Sequence, residues 1–359
     1  MTVTLRRRRQ KSDTLRLTAA SRPSPGVSAS LCALRVSAVN LLFLSNPRSP
    51  KLPGSQDYAH DPRNEHVLIY VNGDLVRRDE ARVSIFDAGF SMGDGVWEGL
   101  RLHRGRLLFL EAHLDRLCSG AAAIAFRPPL DRAAIEPALR VTLEANGMTG
   151  GDGAHIRLMV TRGLKTDVNQ DPRNAVGVPT MVITAEYKTM PVRPPGWGLS
   201  LHTSRIRCTG AEMFDMRLNS HSRLNLIRAL LEAIEAGADE ALMLDPSGKV
   251  SSCNATNFFF ARGGEVLTST GEYCFNGITR GNVIALCRAN AIPIHLGAFD
   301  LADAHSADEA FVTGTMAGIT PVAAIDGHAL AAPPGPLTRR IAALYEALKD
   351  ADAASGARL

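Results

Sequence analysis

Lysine is the scarcest of the common charged residues in this chain of 359 residues, with six lysines among 40 basic side chains. The chain therefore offers few primary amines for covalent chemistry with a carbonyl group. Aromatic residues make up only 5% of the sequence, and no segment approaches the roughly 18 apolar residues of a membrane span. We therefore expect no membrane partner. The lysines are Lys11, Lys51, Lys165, Lys188, Lys249 and Lys349.

The six cysteines have no close paired spacing, which argues against a zinc site or a disulfide scaffold and favours a reducing, cytoplasmic location. Hydrophobic residues form 45% and charged residues 21% of the chain, as in ordinary globular enzymes of about two domains. The net charge is +4, and much of it lies in residues 1–17. The remainder is near neutral, so we expect no nucleic-acid partner.

The N-terminal segment, residues 1–62, is rich in Arg, Ser and Pro. It is typical of a disordered extension or an over-long predicted start, and a transit-like presequence is the alternative. We predict a small α/β domain over residues 63–190, a linker at residues 191–196, a larger domain at residues 197–345 and a tail at residues 346–359.

The stretch at residues 214–260 organises the second predicted domain. Leu226, Ala229, Leu230, Ala233 and Ile234 recur at helical spacing, which predicts a helix with one core face, and a glycine follows where a helix would end. A short apolar run, a Pro-Ser-Gly turn and a further strand come next. Polar clusters stand at both ends of these elements, where binding sites are often built.

Four phrases occur in order along the chain: EAHLDRL (111–117), GADEALMLD (237–245) followed by V-x-x-x-N-x-x-N-F (250–258), NGITRGNVI (276–284) and EAFVTGTMAGITPVAAIDG (309–327). With them the chain resembles the class IV aminotransferases, which are pyridoxal-phosphate enzymes of fold type IV. This family includes branched-chain aminotransferases, D-amino acid aminotransferases and aminodeoxychorismate lyases. The resemblance runs from about Tyr70 to Gly327 and implies an α+β, two-domain fold.

The resemblance also implies pyridoxal 5'-phosphate as cofactor, bound between the domains. By spacing alone Arg116, three residues after His113, could be an ordinary helix charge, but the family's H-x-x-R arginine grips the cofactor phosphate. A helix that starts at Ile278 would present free N–H groups to the same phosphate. The cofactor residues that the resemblance implies are Arg116, Ser252, Asn257, Ile278, Thr279 and Thr315.

The same comparison reveals a missing lysine. The family carries its cofactor-binding lysine in a D-x-K phrase before the central helix, and here Asp215-Met216-Arg217 puts Arg217 at that catalytic position. A register shifted by two would place Asn219 there. Arginine is a poor substitute, because its pKa is about 3 units higher than that of lysine, roughly 4 kcal/mol in deprotonation, and its guanidine is a weak nucleophile.

A second departure is Ser252, which stands where many relatives have a glutamate against the pyridine nitrogen. A serine cannot stabilise a protonated pyridine as a carboxylate does, so the ring would withdraw electrons less strongly. Cys253 as a nucleophile, His221 as a proton carrier and Lys165 as a relocated amine are alternatives to inert roles.

We therefore predict amino-group transfer between an amino acid and a 2-oxo acid, of the branched-chain or D-amino acid type, with impaired turnover and weak or non-covalent cofactor binding. The resemblance also implies a homodimer. A non-catalytic scaffold that keeps the fold and a lyase of the aminodeoxychorismate lyase type are the alternatives.

Overall fold

The computed structural model describes residue 56, residues 58–331 and residues 333–355, all within one compact unit. The prediction of a disordered segment falls mostly outside these residues. The predicted linker at residues 191–196 lies between two β-sheets, one built from residues 68–187 and one from residues 199–329. The division into two domains stays a prediction.

The chain contains runs of consecutive strands separated by seven α-helices among the described residues. The helices are α1 (Ala88–Met92), α2 (Leu110–Ala123), α3 (Arg132–Ala145), α4 (Leu224–Glu235), α5 (Ile278–Ala289), α6 (Leu301–His305) and α7 (Pro336–Ser355), with 3₁₀ turns at Pro62–His66 and Pro172–Asn174. The strands up to the linker are β1 (Leu68–Val71), β2 (Asp74–Arg77), β3 (Gly95–His103), β4 (Arg106–Leu107), β5 (Ala154–Thr161), β6 (Leu164–Lys165), β7 (Ala175–Val176) and β8 (Thr180–Tyr187). The strands after it are β9 (Leu199–Thr203), β10 (Glu240–Leu244), β11 (Val250–Cys253), β12 (Asn257–Arg262), β13 (Glu265–Thr268), β14 (Ile294–Leu296), β15 (Glu309–Gly314), β16 (Gly318–Ile325) and β17 (His328–Ala329).

The first sheet is antiparallel, with strand order β2-β1-β8-β5-β3-β4. Along β5, buried apolar side chains alternate with residues on the other face of the sheet. Ile156, Leu158 and Val160 are buried in a core that also contains Leu114 and Leu117 of α2. Since side chains alternate across a strand, His155, Arg157 and Met159 lie on the opposite face. The helices therefore cover one face, and the other face carries polar side chains.

The second sheet has nine strands in the order β11-β10-β9-β16-β15-β12-β13-β14, with β17 at the side of β16. It is mixed, because β9 runs parallel to both β10 and β16 while β12, β15 and β16 are antiparallel. Its central strands are buried along almost their whole length, and α5 and α7 pack against it. The combination of mixed sheets and helices confirms the α+β prediction.

Helix α4 begins and ends near the predicted points, and Gly237 follows it in the left-handed region with φ 78°. Ala229 and Ala233 are buried as predicted, but Ile234 remains 47% exposed. Leu224, Ile227 and Leu231 form an additional exposed apolar face. The expectation of a single core face was therefore too simple.

The loop before α4 forms a backbone connection to the first sheet. The N–H of Trp97 donates to Asn219 O at 2.9 Å, and the N–H of His221 donates to Gly95 O at 2.9 Å. Trp97 Nε1 also donates to Ser220 O at 3.1 Å. Residues 219–221 thus add a short strand-like segment to the edge of β3.

Within the predicted tail at residues 346–359, residues 346–355 continue helix α7. Its buried side chains include Ile341 and Tyr345, which pack on the second sheet and its helices. Among the described residues, no helix combines the length and apolar character needed to cross a bilayer.

The stacked pair Phe259 and Phe311 gives a test of the second core. Both rings are fully buried, and their centroids are 5.0 Å apart at an interplanar angle of 5°. We expect Phe259→Ala to lower the free energy of unfolding by about 3–5 kcal/mol, because it leaves a cavity in a packed core. Urea denaturation measures this change. Val192→Ala, at a residue 98% exposed, is the control and should change stability by less than about 0.5 kcal/mol. Equal stability of the two variants would contradict this assignment of the core.

Candidate active site

A cavity of about 380 Å³ lies between the polar face of the first sheet, the loop before α4, the start of α5 and the turn between β15 and β16. All the cofactor residues expected from the sequence line it. They are Arg116, Ser252, Asn257, Ile278, Thr279 and Thr315.

Arg116 reaches the cavity from α2 and is held by a buried carboxylate. Its Nε and Nη2 donate to the two oxygens of Glu98 at 2.8 and 2.6 Å, and its Nη1 donates to Asn276 O at 2.9 Å. His113 Nδ1 lies 2.7 Å from Glu98 Oε2. Burial raises the pKa of Glu98, but the hydrogen bonds from Arg116 and His113 outweigh it and lower that pKa below its ordinary value. The carboxylate is therefore ionised and orients the guanidinium.

The start of α5 faces the cavity without a side-chain cap. Asn257 positions this turn: its Nδ2 donates to Phe275 O at 2.7 Å, and its Oδ1 accepts from the N–H of Gly277 at 3.1 Å. A Cβ at Gly277 would lie 2.6 Å from Asn257 Oδ1, so the close approach requires glycine. Thr313 Oγ1 is buried at the cavity wall without a hydrogen-bond partner among the described residues. A helix start, an arginine and an unused hydroxyl suit an anion such as a phosphate.

Ser252 lies at the cavity, and its hydroxyl is already engaged. Its Oγ donates to Thr256 O at 2.9 Å and accepts from Asn257 Nδ2 at 3.2 Å. A hydroxyl has one proton and two lone pairs, so Ser252 retains one lone pair in this arrangement. It could therefore accept a hydrogen bond from a protonated ring nitrogen, without offering the negative charge that would favour protonation.

Arg217 is not among the residues that line the cavity. Its side chain is half exposed and forms a bidentate ion pair with Asp215 at 2.9 and 2.8 Å. The hydrogen bond from Arg217 lowers the pKa of Asp215, although partial burial opposes the shift. The local carboxylate thus holds the guanidinium outside the cavity. The catalytic position that the D-x-K phrase indicates for Arg217 stays a prediction.

A different arginine of the same loop, Arg223, does line the cavity. Its guanidinium lies 5.3 Å from the ring centre of Trp97 and 5.8 Å from that of Phe275, and it donates to Asn219 Oδ1. Its Nε is buried without a partner among the described residues. Burial, aided by repulsion from Arg157 and opposed by Glu98, lowers the pKa of Arg223 to about 10.

The sequence did not predict four further residues that line the cavity: Tyr58, His155, Arg157 and Lys188. Arg157 stacks on Trp97, with its guanidinium carbon 3.9 Å from the ring centre. The strict alternation of β5 was the available signal, because it assigns His155 and Arg157 to the face opposite the core. No comparable sequence pattern predicts that Arg223 and Lys188 line the cavity. Their positions depend on the path of the loop before α4 and of the chain after β8.

The alternative catalytic residues are placed differently. Lys165 Nζ donates to the carbonyl of Asn169 and His221 Nε2 lies 3.2 Å from Val96 O, and neither residue lines the cavity. Cys253 lines it, but burial raises the pKa of its thiol well above the ordinary value, which disfavours the nucleophilic thiolate. Asn219 also lines it, and its amide donates to Trp97 O.

Comparison with known proteins identifies the fold around this cavity. The family model described as amino-transferase class IV matches residues 95–325. The chain is 39% identical over 291 residues to the branched-chain-amino-acid aminotransferase-like protein 2 of Arabidopsis thaliana, in a match that covers 80% of this chain and 51% of that relative. It is 35% identical over 265 residues to a putative branched-chain-amino-acid aminotransferase of Methanocaldococcus jannaschii, covering 74% of this chain and 90% of the relative.

Two solved structures have a similar fold. The branched-chain aminotransferase of Thermoproteus uzoniensis with norvaline superimposes with a TM-score of 0.70 at 28% identity, over 80% of this chain and 95% of that one. An aminotransferase of Brucella abortus bound to the cofactor PLP superimposes with a TM-score of 0.68 at 27% identity, over 79% of this chain and 99% of that one. By contrast, the chain spans about half the length of the two Arabidopsis relatives that it matches.

The buried network around Glu98 gives a pH-dependent test. We expect Glu98→Gln to lower the free energy of unfolding by about 3–5 kcal/mol at pH 7, because the Arg116 charge loses its buried partner. The folded-state pKa of Glu98 lies below its ordinary value of 4.5, so its stabilisation is present above pH 4.5 and is lost as pH falls through the folded pKa. The stability gap between wild type and variant should therefore narrow below pH 4.5.

Urea denaturation at pH 7 and at a series of lower pH values measures this gap. Glu111→Gln is the matched control, since Glu111 pairs with Arg132 at the surface with 77% of its side chain exposed. We expect it to change stability by less than about 1 kcal/mol. A gap for Glu98→Gln that does not vary with pH would contradict the assigned ion pair.

Proposed function

Because the chain belongs to the class IV aminotransferase family, we propose that it binds pyridoxal 5'-phosphate and transfers an amino group between an amino acid and a 2-oxo acid. The observation that carries this proposal is the convergence of all the cofactor residues expected from the sequence on one cavity. The Brucella abortus aminotransferase of similar fold is bound to PLP, which supports the choice of cofactor.

The residues present fit the phosphate end of this cofactor. Arg116 supplies a fixed positive charge, and the uncapped start of α5 at Ile278 and Thr279 supplies backbone donors. Thr315, in the turn after β15, supplies a hydroxyl at the same cavity. Arg223 adds a second, part-buried cation, and its buried Nε has no hydrogen-bond partner among the described residues.

When bound, pyridoxal phosphate supplies an aldehyde and a conjugated ring that accepts electrons from the substrate α-carbon. Ser252 offers a neutral oxygen to the ring nitrogen, with its own proton donated to Thr256 O. The side chain therefore does not hold a proton on that nitrogen as a carboxylate would. Slow turnover follows from this residue, in addition to any effect of Arg217.

The opposite wall suits a carboxylate-bearing substrate. Arg157 presents its guanidinium from β5, stacked on Trp97. Apolar side chains, among them Leu226, Leu230 and Met316, line other parts of the cavity and would accept an aliphatic side chain. The names of the relatives, which include branched-chain and D-alanine aminotransferases, support an amino acid substrate with a small or branched apolar side chain.

A second candidate function is a non-catalytic homologue that keeps the fold and the phosphate-binding residues. The observation in its favour is that Arg217, at the lysine position predicted from the D-x-K phrase, lies outside the cavity and is paired with Asp215. Nothing among the described cavity residues specifically favours the lyase alternative.

We also propose a homodimer in the cytoplasm. Residues 83–92 and the adjoining β6 to β8 region carry exposed apolar side chains, among them Ile85, Phe90 and Val178 at 65%, 69% and 69% exposure. The two segments are joined by backbone hydrogen bonds, including Ala88 N to Gly163 O at 2.9 Å. A continuous apolar surface of this kind supports a protein partner, and a second copy is the simplest one. The unpaired cysteines of the described residues support a reducing compartment.

The function is tested by cofactor binding and amino-group exchange in one set of proteins. We expect wild type to retain pyridoxal phosphate in equilibrium dialysis and to form glutamate slowly from 2-oxoglutarate and a branched-chain amino acid. Arg116→Gln should raise the Kd for pyridoxal phosphate about tenfold or more, because a charge-assisted contact worth about 1.5–3 kcal/mol is lost.

Arg217→Gln is the matched control and should leave that Kd unchanged, since Arg217 lies outside the cavity. Thr315→Ala, which does not disturb the Glu98 ion pair, gives a second variant that should weaken binding. Cofactor retention without any amino-group exchange would favour the non-catalytic homologue. Absence of cofactor binding in folded wild type would contradict the proposed function.

The dimer has its own test. We expect the double variant Ile85→Asp, Phe90→Asp to elute as a monomer in size-exclusion chromatography with light scattering, because desolvating two new carboxylates opposes association. Val192→Asp, an exposed position outside this surface, should elute as wild type does. A wild-type monomer at micromolar concentration would overturn the dimer.

A further inference from the structure

Lys188 lies on the cavity wall immediately after β8. Its backbone N–H donates to Gly153 O at 2.8 Å, which fixes the end of the strand against β5. The side chain leaves from the same region as Tyr58 and Arg157, and all three line the cavity together with the phosphate-binding residues. The wall of this one cavity therefore includes both a lysine and the anion-binding residues around Arg116.

Among the described residues, the amine of Lys188 contacts an aromatic ring and forms no hydrogen bond or ion pair. Its Nζ lies 4.9 Å from the ring centre of Tyr58. The nearest carboxylate on the strand, Glu186, is paired with Arg78 at 3.0 Å. Burial lowers the pKa of Lys188. The charge of Arg157 lowers this pKa further, and the charge of Glu186 partly opposes the shift. A larger share of the neutral, nucleophilic amine follows.

The other described lysines are occupied elsewhere. Lys165 donates to a carbonyl of its own loop, Lys249 pairs with Asp300 at 2.8 Å and Lys349 pairs with Glu346 at 2.6 Å. None of these three lines the cavity, so Lys188 is the one cavity lysine among the described residues.

We propose that Lys188 Nζ is the amine that bonds covalently to the aldehyde of pyridoxal phosphate, in place of the lysine that the family carries in its D-x-K phrase. This inference rests on the proposed function, because it requires the cofactor in the cavity. The amine would come from the first sheet, whereas the family position belongs to the loop before α4.

The bond-forming step is balanced without any oxidant or reductant. The neutral amine of Lys188 adds to the aldehyde carbon, and a C–N bond forms. The carbonyl oxygen then leaves as water with the two amine protons, so that C=N replaces C=O. When the amine of the substrate amino acid adds to the same carbon, the bond from that carbon to Lys188 Nζ breaks, and the two protons of the incoming amine pass to Nζ. Lys188 is then a free amine that can carry a proton between bound atoms, which is the second task of such a lysine.

The test is chemical trapping on the full chain. Wild type is incubated with pyridoxal phosphate and reduced with sodium borohydride, which delivers hydride to the C=N carbon while solvent protonates the nitrogen. Peptide mass spectrometry then locates the phosphopyridoxyl group. We expect it on Lys188, with at least tenfold lower labelling of every other lysine.

Lys188→Arg and Lys188→Met should both lose the label and the absorbance change that precedes reduction, while far-ultraviolet circular dichroism confirms folding. Lys249→Arg is the matched control, since Lys249 is a surface lysine, and it should label as wild type does. Cofactor retained in dialysis but no label, or label undiminished in the Lys188 variants, would overturn the assignment and leave the proposed function intact. Cofactor absent from wild type in dialysis would overturn both.

Discussion

The hydrogen bonds between residues 219–221 and the edge of β3 are the constraint on which the site depends. They join the loop before α4 to the first sheet and set the path of the chain on both sides of the pairing. Before it, the loop passes over the surface, where Asp215 holds Arg217. After it, the chain turns into the cavity, and Arg223 packs beside Trp97 and Phe275. The path of this loop therefore determines that Arg223, and not Arg217, lines the cavity.

The cavity carries more positive than negative charge. Arg116 is balanced by Glu98, but Arg223, Arg157 and Lys188 have no carboxylate ion pair among the described residues. Burial lowers the pKa of each, and repulsion from Arg157 adds to the effect on Arg223 and Lys188. Desolvated cations without a partner lower the stability of the empty site. Binding of an anion would offset this free-energy cost, because it supplies the opposite charge. A phosphate at one end and a carboxylate at the other would supply that charge.

Loss of the lysine from the D-x-K phrase, as the sequence predicts it, would change the chemistry more than the fold. The sheets, the start of α5 and the Glu98–Arg116 pair do not require an amine in that phrase, so the scaffold would survive its loss. The chemistry does require an amine, because guanidine is too weak a nucleophile at neutral pH. A lysine on another wall of the same cavity could meet that requirement, at a different angle to the cofactor. The neutral Ser252 would still limit the rate.

Much of the fold, and several of the residues that line the cavity, could be predicted from local sequence. The helix that buries Ala229 and Ala233, the glycine that follows it and the helix start at Ile278 were predicted from patterns that act between near neighbours. The family phrases, taken in order, predicted which loops contribute to the site. These signals are local, so the sequence carried them without the tertiary structure.

The chain alone determined that lysine is absent from the D-x-K phrase and that only a few amines exist at all. Only the tertiary structure decided that Arg217 stays outside, that Arg223 enters and that Lys188 reaches the cavity. These placements depend on contacts between residues far apart in the chain, such as Trp97 with Asn219, which are 122 positions apart. Periodicity and motif spacing carry no information on such contacts, because the energies that fix them arise only when the sheets and loops have packed.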